Sequence, residues 1–90
     1  MKDRTPSWDA GRERWQAVRN ERPIPSRESQ RSIWPPLQVT AWIVWEVDGL
    51  ELIDTTAHAF AGRDVRVELA DERREQVKFV WLAAQDVRRR

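Results

Sequence analysis

The chain has 90 residues and a mass of 10.7 kDa, 34% of them charged and 40% apolar, which leaves room for one small core and excludes a two-domain enzyme. No cysteine and a single histidine, His58, exclude a disulfide framework and a cysteine–histidine zinc site, so packing must supply the stability. The net charge of +1 conceals two unlike parts: residues 1–36 hold eight basic and five acidic side chains, and residues 37–90 hold eight basic and ten acidic.

Residues 1–36 carry all five prolines and only nine apolar side chains, too few to offset the entropy of ordering, and read as a basic arm. One stretch is an exception. Ser7 can cap a helix over 8–20 and Pro23 forbids its continuation, with Trp8, Trp15 and Val18 on one face. A helix that short is marginal in water and forms only if its tryptophans dock. Arg22-Pro23-Ile24-Pro25 and Trp34-Pro35-Pro36 favour extended geometry, the second leading into the first strand.

From Leu37 to Val47 every odd position is apolar, a strand by its period of two. Asp48-Gly49 follows as a hairpin turn, and a second strand runs over about 50–60, with a bulge expected where the alternation slips at Asp54-Thr55-Thr56. Gly62 marks the next turn. Residues 63–69 alternate with Val65, Val67 and Leu69 inward, and Asp71 to Glu75 reads as a solvated loop. A fourth strand over 76–82 places Val77, Phe79 and Trp81 inward. The run 83–86 suits one 3₁₀ turn, and Val87 to Arg90 a short fifth strand.

The fold class is therefore mainly β, with five antiparallel strands over 37–90 and a 3₁₀ turn before the last. The run Trp81-Leu82-Ala83-Ala84-Gln85-Asp86-Val87 stands where SH3-like barrels place strand, 3₁₀ turn and closing strand, and residues 37–90 resemble that superfold in topology. The acidic loop and aromatic peptide-binding motif of signalling SH3 domains are absent, so their ligands do not carry over. Arginine supplies 14 of the 16 basic residues, and the chain also resembles short proteins of high-G+C bacteria and their mobile elements.

Catalysis finds little support. Asp54, Thr56 and His58 share one strand face, yet no nucleophile elbow or oxyanion loop accompanies them, and His58 with Asp54 lacks a third metal ligand. No phosphate-binding loop, dinucleotide fingerprint or paired-cysteine motif is present. The expectation is no enzyme, no cofactor, no metal and no small-molecule substrate. With no run near the ~20 apolar residues of a membrane span and no apolar segment behind the charged start, a cytoplasmic location without a membrane partner is expected.

Two binding readings remain. Trp45 and Trp81 are expected in the core, whereas Trp42, beside Val44, points to the outer face, to be covered by Trp34, Trp8 or Trp15 or to await a partner. That favours a protein-interaction module, self-association included. The alternative is nucleic-acid binding through Arg88, Arg89 and Arg90 with Arg27 and Arg31 of the arm, against which the acidic balance of 37–90 weighs.

Overall fold

A computed structural model describes residues 15–75 and 77–90. It contains strands β1 (Arg31–Trp45), β2 (Gly49–Ala61), β3 (Asp64–Glu68), β4 (Phe79–Ala83) and β5 (Val87–Arg89), all paired antiparallel in the order β4-β3-β2-β1-β5. Three 3₁₀ turns lie at Arg27–Ser29, Glu72–Arg74 and Ala84–Asp86, the last before β5 as expected. Among the described residues there is no α-helix, and none long and apolar enough to cross a membrane.

β1 starts at Arg31, six residues ahead of the expected Leu37. Its pairing with β2 is interrupted between Ser32 and Leu37. That is where Pro35 and Pro36, which have no N–H for a ladder, are tolerated in extended backbone. Trp45 pairs with Gly49 across a three-residue loop, with Gly49 at φ 78°, the left-handed geometry that such a hairpin loop requires. At the next turn Ala61 pairs with Asp64 and Gly62 takes φ 60°, so only the first central residue is left-handed.

The main core comprises Val39, Ala41, Ile43 and Trp45 of β1, Ala57 of β2, Val67 and Leu69, and Val80 and Leu82 of β4. Trp45 is fully buried, as expected. β4 corrects the expected phase. Val80 and Leu82 face the core, Val77 and Phe79 are more than a third exposed, and Trp81 points the other way. Register decides this, since Val80 pairs with buried Val67 and Trp81 with Arg66. Trp81 is nonetheless only 5% exposed, packed with Ala59 and Ala61 in a second cluster.

That second cluster depends on a bulge. The β2–β3 register shifts between Ala57 and Ala59, so that Ala57 pairs with Val67 and Ala59 with its neighbour Arg66. Two alanines that simple alternation would put on one face thus join opposite clusters. The irregularity lies at His58, later than the expected Asp54-Thr55-Thr56.

The arm also departs from expectation. Of the helix expected over 8–20, residues 8–14 lie outside the described residues, and 15–20 are extended with a turn at Arg19-Asn20. Val18 bridges Trp45 and enters the main core, and Glu21 bridges Leu82. Glu46 N donates to Ala17 O (2.9 Å), Arg19 N to Val44 O (2.7 Å) and Arg22 N to Trp81 O (2.7 Å). Residues 17–22 therefore form a strap that runs from the free edge of β1 to the free edge of β4. A strand edge offers unpaired N–H and C=O groups that extended backbone satisfies better than a helix, whose groups are already paired.

Candidate functional site

The Trp45–Gly49 register sets what lies on the outer side of the β1–β2 hairpin. Trp42 pairs with Leu52 and Val44 with Leu50, and directly opposed residues of an antiparallel pair share a face. Because Trp45 and Ile43 occupy the core side, these four apolar side chains face away from it. Trp42 and Val44 are half-buried, while Leu50 and Leu52 are 58% and 55% exposed. The Arg88 guanidinium lies 5.4 Å from the centre of the Trp42 ring, and Thr40 Oγ1 donates to Asp54 Oδ1 (2.8 Å) at the polar end of the same face. Trp42 and Val44 were legible from alternation. Leu50 and Leu52 were missed, although the hairpin register at Asp48-Gly49 would have paired them.

The other aromatic candidates are dispersed. Trp34 is 86% exposed, Trp15 stacks with the Arg74 guanidinium at 5.4 Å, and Trp8 lies outside the described residues. The strap reaches Trp42 through Asn20 instead. Asn20 Nδ2 donates to Trp42 O (2.8 Å) and to Asp86 Oδ2 (3.2 Å), and Asn20 Oδ1 accepts from Val44 N (2.9 Å). One carboxamide thus does the work of a peptide group on the β1 edge, filling the gap between the strap backbone and β5, which pairs at Val39 to Ala41. Nothing in the sequence distinguishes Asn20 from an ordinary turn asparagine.

The arginine candidates do not share a surface. Arg88 serves Trp42. Arg90 Nε donates to Val39 O (3.0 Å) and its Nη2 to Thr55 O (3.1 Å), with Asp54 at 3.8 Å. Arg89 alternates to the other face of β5, Arg31 Nη1 donates to the Glu28 and Gln30 carbonyls, and Arg27 is exposed.

The segment Asp71 to Glu75, expected as a solvated loop, is instead an ionic hub. Arg73 lies 3.9 Å from the Trp45 ring centre and donates to Asp71 (2.9 Å), Asp48 (3.0 Å) and Glu51 (2.8 Å). Glu51 also accepts from Trp45 Nε1 (2.9 Å), which satisfies the buried indole. The hydrogen bond from the Arg73 side chain holds the Asp71 carboxyl below the usual carboxylate range, against a desolvation effect in the opposite sense. Reciprocally, the bond to Asp71 holds Arg73 still more firmly protonated. Its neighbour Arg74 is 5% exposed, 3.4 Å from Glu21 of the strap, and its Nε and Nη1 have no hydrogen-bond partner among the described residues.

His58 does meet a threonine and a carboxylate. Its Nε2 lies 3.0 Å from Thr56 Oγ1 and 3.1 Å from Glu68 Oε1. A nucleophile–base relay needs the hydroxyl on one ring nitrogen and the orienting carboxylate on the other, whereas here both crowd the same atom. The Phe79 ring packs edge-on against the imidazole at 5.4 Å, and the arrangement is a cross-strand polar cluster. Comparison of the chain with protein-family models, with curated proteins and with solved structures yields no match.

Proposed function

We propose that the chain is a non-enzymatic protein-interaction module, cytoplasmic, in which the strap completes an SH3-like barrel and the outer hairpin face of Trp42, Val44, Leu50 and Leu52 receives a protein partner. The single observation behind this reading is the pairing that puts four apolar side chains together with two leucines more than half exposed. Contiguous exposed apolar side chains mark interaction surfaces, and removing one leucine fully from water contributes about 1.5–3 kcal/mol. A tryptophan carrying an arginine at the rim is the composition found at binding hot spots.

The nucleic-acid alternative draws less support. Arg88 and Arg89 lie on opposite faces of β5 and Arg90 is held by backbone carbonyls, so the C-terminal triplet offers no common front to phosphates. The test is a photo-crosslinking amino acid at position 52 of the full chain in cells. Discrete protein adducts, lost on Leu50→Asp and absent when the crosslinker replaces exposed Gln38, are expected. Absence of adducts, or salt-sensitive duplex binding unaffected by Leu50→Asp, overturns the reading.

A further inference from the structure

On the opposite side of the sheet from that face, an apolar cleft of about 260 Å³ opens between the start of β1, β3 and the end of β5 next to the Ala84–Asp86 turn. Ile33, Leu37, Ala57, Val65 and Val87 contribute its walls, and among the described residues that line it Arg89 alone carries a charge. Arg88 is engaged with Trp42 and Arg90 with two carbonyls and Asp54, but the Arg89 side chain has no partner among the described residues. We propose that this cleft is a binding site for the apolar C-terminal residue of an extended peptide, whose terminal carboxylate meets Arg89.

Three observations select that occupant. The walls call for an apolar group and the unpaired guanidinium at their edge for a carboxylate next to it, which is the chemistry of a chain terminus ending in a large aliphatic residue. The volume falls below the roughly 300–1,000 Å³ typical of small-molecule sites and suits one side chain. β5, which supplies Val87 and Arg89, is the last strand of the sheet and among the described residues pairs with β1 on one side only, which leaves its outer edge for a peptide to add as a strand. Strand addition supplies main-chain bonds irrespective of sequence, and the cleft with Arg89 supplies the selection.

This site is separate from the Trp42 face and does not depend on it. The test is an amide-resolved NMR titration of the full chain with the pentapeptide Ser-Thr-Ser-Thr-Leu, as free acid and as C-terminal amide, with octanoate as a third probe. The free acid is expected to shift Val65, Val87 and Arg89, and the amide to bind about fivefold or more weakly. Arg89→Gln, an exposed edge substitution, should remove the difference between acid and amide while leaving the remaining spectrum in place, and Arg89→Lys should restore part of it. Equal binding of the two peptide forms overturns the proposal, as does the absence of shifts at millimolar peptide. Saturation by octanoate without peptide binding overturns it in favour of a small amphiphile, and shifts confined to Leu50 and Leu52 overturn it while supporting the outer-face reading.

Discussion

Two single residues hold together parts of the chain that are far apart in sequence. Asn20 pairs its amide with two backbone groups of β1 and with Asp86. Asn20→Ala leaves Val44 N–H without its acceptor in a half-buried position and is expected to cost about 1–3 kcal/mol, read from urea unfolding. A change within about 0.3 kcal/mol would show that the carboxamide is incidental. Arg73 gathers Asp48, Glu51 and Asp71 around itself over the Trp45 ring, and pH probes it. Because the folded state lowers the Asp71 pKa, the bond's contribution is fully present above the unfolded value and is lost as pH falls through the folded one, below the usual carboxylate range. Asp71→Asn should therefore destabilise the protein at a pH above the unfolded value and much less at one below the folded value, where Asp71 is itself protonated. An equal loss at both values would contradict the ionic account.

At the scale of elements, the two glycine turns and the strong alternation of β1 and β3 follow from local chemistry, whereas β4 does not. Val80-Trp81-Leu82 is apolar throughout because both of its faces are covered, by the main core on one side and the Ala59–Ala61 cluster on the other. A period of two is visible only where one face is polar, so the phase of β4 could not be read before its register with β3 was known. The strap is the clearest case of an element set by its neighbours. The spacing of Trp8, Trp15 and Val18 suits a helix, yet the unpaired edges of β1 and β4 draw residues 17–22 into extended pairing. Removing residues 1–22 should abolish hydrogen-exchange protection at Val44 and Glu46, whose N–H groups are bonded to Asn20 and Ala17. Retained protection at both amides would mean that β1 is closed by something other than the strap.

Across the whole molecule, the arm and the sheet share one core rather than forming a domain and its tail. Val18 packs in the same cluster as Trp45 and Leu82, and Arg74 lies buried between the strap and the sheet. The expected consequence is one cooperative transition, with tryptophan fluorescence and far-UV circular dichroism unfolding at the same urea concentration. An earlier, separate fluorescence step would show the strap melting on its own. The same organisation explains which parts of the candidate site were legible. Trp42 and Val44 follow from alternation, and Leu50 and Leu52 were within reach of the hairpin register. The split of Arg88, Arg89 and Arg90 into three environments required the placement of β5 against β1.

The succession of strands along the chain, the positions of the glycine turns, the 3₁₀ turn before β5 and the inward phase of Trp45 were determined by the sequence alone, because each depends on residues a few positions apart. The bulge at His58, the phase of Trp81, the extended strap, the buried Arg74 and the meeting of Arg89 with an apolar cleft were decided only by the tertiary structure. Register and edge pairing join backbone groups from distant segments, and backbone groups are the same in every residue but proline. A side-chain pattern therefore records which segments can be strands, but not which free edge a distant segment will satisfy.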